Sequence, residues 1–179
     1  KVTDFLHTKG YEFRHNESCG FEYGNYRPDI KIDAGTHFII VEVDENQHSS
    51  YDQSCEFIRM ANITKSGNLP CIFLRYNPDK FKLSKKSEDN LTNDITRLNI
   101  LNDQIQKYFD FDMGDETIKI IKLFYDNKDG LYVSEVNFTE TYNEILENIN
   151  GPLFVETKKS SSPEPVNIIF IDDNGNEII

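Results

Sequence analysis

A mixed α/β domain is the fold class this sequence predicts, and three observations predict it. Short runs rich in β-branched and aromatic residues, among them "HFIIVEVDE", "PCIFLRYNP" and "ETIKIIKLFYD", are bounded by turn residues and read as strands. Two longer stretches between them, "SSYDQSCEFIRMANITKSG" and residues 90–109, read as helices. The resulting order is strand, strand, helix, strand, helix, strand, which is the alternation of a mixed α/β domain. A chain of 179 residues with 37% hydrophobic content suits one compact domain with an appendage.

Taken in order, "KVTDFLHTKGYEFRHNE" reads as the end of a helix stopped at Gly10, then an extended piece. It is too mixed and polar for a signal peptide, and its opening on Lys1 suggests a fragment or a chain that has lost a short leader or tag. "YRPDIKID" is a strand that opens at Pro28, a position proline tolerates. "AGT" is a turn into the second strand. The next helix has Ser49 or Ser50 as its N-cap and Gly67 as its stop. The third strand closes at Asn77-Pro78, and "DKFKLSKKSED" is a charged loop. Leu91, Ile95, Leu98, Leu101, Ile105 and Tyr108 recur every three to four positions and predict the second helix. "ETIKIIKLFYD" is a strand, "NKDG" a turn into "LYVSEV", and "TETYNEILENIN" a short helix capped near Thr139 or Thr141. "KKSSSPEP" is a linker, and "VNIIFIDDNGNEII" a terminal hairpin about Asn174-Gly175. The expected boundaries are a core over 1–126, an acidic α+β extension over 127–157, a linker over 158–165 and the hairpin over 166–179.

Charge divides the chain. Residues 1–109 carry 14 Lys+Arg against 16 Asp+Glu, whereas residues 110–179 carry 5 against 15. The overall net charge of −12 argues against a simple basic nucleic-acid-binding patch. It leaves room for an enzyme that offsets phosphate charge with a metal ion, and it assigns phosphate contacts to the first part. The acidic C-terminal part is a candidate surface for a protein partner. No apolar run reaches the ~18 residues needed to span a membrane. Cys19, Cys55 and Cys71 make no disulfide framework, so an intracellular, reducing setting is expected.

The carboxylates at the end of the second strand are the chemical signal. With a two-residue Ala34-Gly35 turn, Asp33 would face Thr36 and Asp29 would face Ile40. Alternation then puts Ile30, Ile32, Ile39, Val41 and Val43 on one face, and Asp29, Phe38, Ile40, Glu42 and Asp44 on the other. Asp29 and Glu42 become diagonal neighbours, roughly 7 Å apart. Unpaired carboxylates this close raise each other's pKa, and a hard divalent cation such as Mg²⁺ or Mn²⁺ is one remedy. The competing reading is that they splay apart and meet water or lysine.

The run "RPDI…FIIVEVDENQH…YDQSCEFIRM…CIFLRYNPD", over residues 26–79, resembles the restriction-endonuclease-like PD-(D/E)XK superfamily. Within it the closest likeness is to the very-short-patch repair (Vsr)-like branch, and to proteins of giant DNA viruses and algae with an "RPD…VEVDE.QH..Y…CE..R" signature. The resemblance implies a central mixed sheet flanked by helices and Mg²⁺- or Mn²⁺-dependent hydrolysis of DNA. Pro28-Asp29 matches the "PD" and makes Asp29 a metal ligand. Glu42-Val43-Asp44 matches "(D/E)XK", with Glu42 a second ligand, the Val43 carbonyl a third, and Asp44 helping to hold the ion. Asp44 stands where the motif has lysine, which keeps an inactive nuclease-fold module that binds protein or nucleic acid open beside the enzyme. His48 matches the histidine of the Vsr-like branch and becomes a general base or phosphate contact. Gln47 and Arg59 are candidates for positioning water or phosphate, and Arg27 and Arg75 for lining a phosphate groove. Separately from the resemblance, His15, Cys19, His48 and Cys55 form a candidate zinc set, though without a C-x2-C knuckle.

Overall fold

The computed structural model describes residues 1–18, 26–83, 91, 93–141, 170–171 and 177–178. They fall into two compact units, Lys1–Phe138 and Thr139–Ile179. The first unit contains helices α1 (Val2–Thr8), α2 (Gln53–Gly67) and α3 (Asp94–Phe109). Its strands are β1 (Arg14–His15), β2 (Ile30–Asp33), β3 (Phe38–Val43), β4 (Cys71–Tyr76), β5 (Ile118–Leu123) and β6 (Val133–Val136). The strands form one six-stranded sheet in sequence order. Pairings are antiparallel at both edges and parallel for β3–β4 and β4–β5. A parallel pair needs a long crossover, and α2 and α3 supply the two that are required.

Alternation along the strands builds two layers. On one face Ile30, Ile32, Ile39, Val41, Ile72, Leu74, Ile121 and Leu123 form a continuous core with Leu6 of α1 and with Leu98, Leu101, Ile105 and Tyr108 of α3. The other face buries Ile40, Phe73 and Ile120 with Phe57, Met60 and Ile63 of α2. Expected α3 residues follow this stripe except Ile95, which is 60% exposed. Ile95 lies in the first turn, where its amide donates to the Asn93 cap at 2.9 Å.

The β2–β3 hairpin keeps the predicted faces but not the predicted partners. Asp33 pairs with Phe38 and Ile30 with Val41, so the loop has four residues, Ala34 to His37, and the pairing ends at Ile30, one residue after Asp29. Two contacts explain the longer loop. The Gly35 amide, at φ +84°, donates to Asp33 Oδ1 at 2.8 Å. The His37 ring is fully buried with Nε2 2.8 Å from the Tyr108 carbonyl, which holds His37 in the loop. Because side chains repeat every two residues, a two-residue shift leaves each face unchanged.

Helix α2 begins later than the sequence suggested. Its N-cap is Asp52, whose side chain accepts from the Ser54 amide at 2.8 Å, not Ser49 or Ser50. The residues between β3 and α2 are used by a tight turn, Glu45–His48, with Asn46, Gln47 and His48 all at positive φ. The helix is stopped by Asn68 in the left-handed conformation. Gly67 serves close packing instead, since a Cβ there would meet the Phe38 ring at 3.1 Å.

Strand β6 is hydrogen-bonded to β5, so the main unit extends past residue 126 to Phe138. In the second unit β7 (Phe170–Ile171) and β8 (Glu177–Ile178) pair antiparallel, Phe170 facing Ile178. The expected hairpin turn at Asn174-Gly175, the linker over 158–165 and most of the helix after Thr141 lie outside the described residues, as does most of the charged loop. Among the described residues no helix is long and apolar enough to cross a membrane.

Candidate functional site

The α2 face of the sheet carries a row of ionisable residues across three strands. Glu42 of β3 pairs with Arg75 of β4, and Arg75 with Lys122 of β5. Helix α2 adds Glu56 and Arg59 above the row. The turn after β3 adds His48, and the segment after β5 adds Tyr125.

Glu42 is 4% exposed and is gripped by the Arg59 guanidinium, Nη1 to Oε1 at 2.7 Å and Nη2 to Oε2 at 3.3 Å. Arg59 Nη2 also donates to the Arg27 carbonyl at 3.1 Å. Burial pushes the Glu42 pKa up; Arg59 opposes this and the charge of Asp29 adds to it, and the net shift is upward. Asp29 Oδ2 accepts from the Val43 amide at 2.8 Å, which fixes the carboxyl at the mouth of the hairpin.

Asp44 is fully buried. Arg75 Nε and the Tyr125 hydroxyl both donate to its Oδ2. Its Oδ1 has no hydrogen-bond partner and lies 3.4 Å from His48 Nδ1. Arg75 also donates through Nη2 to Glu56 Oε2. Burial works against the Arg75 charge, but Asp44 and Glu56 outweigh it and raise its pKa. Burial likewise works against the Glu56 charge, and Arg75 and His48 reverse it, leaving Glu56 below its ordinary value. Tyr125 is pushed up by burial and by Asp44, so it stays a donor.

His48 is placed by the turn. Three consecutive residues at φ 54°, 61° and 49° are strained for Gln and His. Two acidic side chains hold the turn. The Asn46 amide donates to Asp79 Oδ2 at 2.8 Å. Gln47 Nε2 donates to Asp126 Oδ1 at 3.0 Å, and the Asp126 amide donates back to Gln47 Oε1 at 2.8 Å. The imidazole Nδ1 then stands 3.3 Å from Glu56 Oε2 and 3.2 Å from Arg75 Nη2.

Asp44, His48 and Glu56 offer three donor atoms within 4.8 Å of one another, a group that could hold a metal ion. The unpartnered, buried Asp44 Oδ1 fits that use, because a buried carboxylate oxygen is costly without a partner. The imidazole shifts the donor chemistry from Mg²⁺, which prefers oxygen alone, toward first-row metals. Arg75 lies against all three of these ligands, so an ion there requires its guanidinium to give way.

Several sequence expectations are placed differently. Asp44 joins His48 and Glu56, whereas Glu42 is held by Arg59 of α2, and Asp29 accepts from the Val43 amide and borders a cavity with Val2 of α1 and Leu98 of α3. Arg75 is tied to carboxylates, and Gln47 is engaged by Asp126, so neither stands free for phosphate. Arg27 is exposed. Of the zinc set, His15 is in an edge strand and Cys55 is exposed on α2; they do not gather with His48, and Cys19 lies outside the described residues. Lys122 and Tyr125 were missed. The signal was there for Lys122, since alternation in "IKIIKL" puts it on the face of Ile120, but only the β4–β5 register reveals that it lies beside Arg75. Comparison of the chain with protein-family models, curated proteins and solved structures finds no match.

Proposed function

We propose that the protein is a metal-dependent endonuclease that hydrolyses DNA phosphodiester bonds, with Asp44, His48 and Glu56 as the ion's ligands, Glu42 two residues along the same strand from Asp44, and Asp29 near Glu42. The observation that carries this reading is the unpartnered oxygen of buried Asp44 converging with His48 and Glu56. A bound divalent ion supplies Lewis acidity: it lowers the pKa of a coordinated water and offsets phosphate charge. Arg75 neutralises Asp44 and Glu56 in the metal-free site. Once displaced from them it is placed to meet the scissile phosphate, which restores the phosphate role the sequence suggested for it. Arg59 holds Glu42 in position and opposes the rise that burial causes in its pKa. His48 Nδ1 serves one role at a time: it coordinates, or it carries a proton toward Asp44 and Glu56 and leaves Nε2 to accept one from water.

A second reading is favoured by a specific feature. Every carboxyl of the row, Glu42, Asp44 and Glu56, already has an arginine. That charge balance suits a catalytically inactive module that binds protein or nucleic acid.

Calorimetric Mn²⁺ titration and plasmid nicking separate the readings. Wild type should bind Mn²⁺ and nick. Asp44→Asn, isosteric and checked for folding by thermal melt, should lose both, whereas Asp29→Asn should lose nicking and keep most of the Mn²⁺ affinity. Loss of Mn²⁺ binding in Asp29→Asn alone would move the ion to the Asp29–Glu42 pair. A wild type that binds neither Mn²⁺ nor Mg²⁺ would leave the inactive module.

A further inference from the structure

Beside the carboxylates, on the α2 face, lies an open cavity of about 190 Å³. Arg75, Lys122, His48, Glu56, Tyr125 and Tyr51 are among the side chains that border it. Its two positive side chains differ in their commitments. Arg75 is bound to Asp44 and Glu56. Lys122 makes no hydrogen bond or ion pair with any described residue; its Nζ lies 5.1 Å from the Tyr125 ring centre. Burial and the neighbouring Arg75 charge disfavour its protonated form, while Asp44 and Glu56 favour it, and the balance lowers its pKa. A cation at a cavity wall that makes no ion pair with any described residue is a seat for an incoming anion.

At the rim stands Tyr51, 61% exposed. One face of its ring stacks on His48, centroids 4.3 Å apart and planes 23° apart. A lone exposed tyrosine is ordinary. This one is pre-positioned by a second ring, and it borders the same cavity as the uncommitted lysine. With 61% of it exposed, the tyrosine has surface left on which a base can stack.

We infer that this cavity seats an unpaired strand of nucleic acid, one phosphate on Lys122 and the adjoining base stacked on Tyr51. Aromatic stacking with a nearby backbone cation is the chemistry of single-strand binding, because an unpaired base offers a π-face that a duplex hides. The phosphate enters the cavity, where Lys122 borders it, and the base stays at the rim with exposed Tyr51. Glu56 does not repel the phosphate strongly, since Arg75 already neutralises it. This choice of substrate rests on the nuclease reading for its consequence, cleavage at an unpaired segment, but not for the binding itself.

Fluorescence anisotropy of a labelled oligothymidylate in EDTA tests the binding without metal or turnover. Wild type should prefer the single strand to a hairpin duplex of equal charge. Tyr51→Ala should weaken single-strand affinity about tenfold and Tyr51→Phe should restore it, as expected of stacking. Lys122→Met, which keeps the apolar stem, should weaken binding and reduce the slope of log K against log salt by about 0.7, the share of one phosphate contact. Lys122→Arg should retain the slope. Thermal melts confirm that each variant is folded. The inference is overturned if wild type prefers the duplex or does not bind, or if folded Tyr51→Ala and Lys122→Met bind the single strand as wild type does. Normal binding with no metal-dependent cleavage would instead overturn the nuclease reading and leave this one standing.

Discussion

At the scale of single residues, the site holds three buried or half-buried carboxylates against two arginines, Arg75 shared by Asp44 and Glu56, and that balance sets how the protein responds to acid. Glu56 has a pKa below its ordinary 4.5 in the fold, because Arg75 and His48 outweigh the effect of burial. The stability it contributes is therefore fully present above 4.5 and is lost as pH falls through the depressed native value. Glu42 works in the opposite sense: with a raised pKa, its contribution is present below 4.5 and declines as pH rises through the native value. Glu56→Gln, melted in EDTA between pH 3 and 8, should be less stable than wild type at neutral pH and should converge with it in acid. A stability difference that persists unchanged to pH 3 would mean that Arg75 does not depend on the Glu56 charge.

At the scale of elements, the turn between β3 and α2 is where the sequence was least legible. The hydrophobic alternation of β2 and β3 fixed both faces of the hairpin, because a shift by two preserves parity. It did not fix the partners, because the loop length depends on His37 reaching the Tyr108 carbonyl, a contact 71 positions away in sequence. Likewise, Asp44, Glu45, His48 and Asp52 could all be picked out as a chemical cluster. Nothing local shows that the chain takes three left-handed residues there, moves the helix cap from Ser49 or Ser50 to Asp52, and turns His48 back onto Asp44. The turn is strained, so it depends on its outside anchors. Asp126 supplies two of its bonds to Gln47 and accepts from the Lys82 amide at 2.7 Å. Asp126→Ala should cost about 2 kcal/mol, the size of a lost hydrogen bond to a charged group, and should speed hydrogen exchange at residues 46–48 more than in the sheet. Unchanged exchange at the turn would show that Asp79 and the backbone suffice to hold it.

At the scale of the whole molecule, charge is distributed against the proposed substrate. The mixed sheet with helices flanking it follows from alternation, helical spacing and turn residues, all of which are local and legible. The charge row Glu42–Arg75–Lys122 follows from parallel register, which is not. Residues 139–179 carry two lysines against eight carboxylates, a net of −6 and half the total of −12. The core residues described, from Leu6 to Phe124, all lie in the first unit. A protein ending at Phe138 should therefore unfold in one cooperative transition. Long-range repulsion of a polyanion scales with net charge and is screened within about 10 Å at 0.1 M salt. The shortened protein should bind oligothymidylate several-fold more tightly than the full chain at low salt. The two should converge as salt rises toward ~1 M, where screening acts within about 3 Å. Equal affinities at low salt would show that the acidic unit does not act on nucleic acid through its field, and would leave a protein partner as the remaining use for its charge.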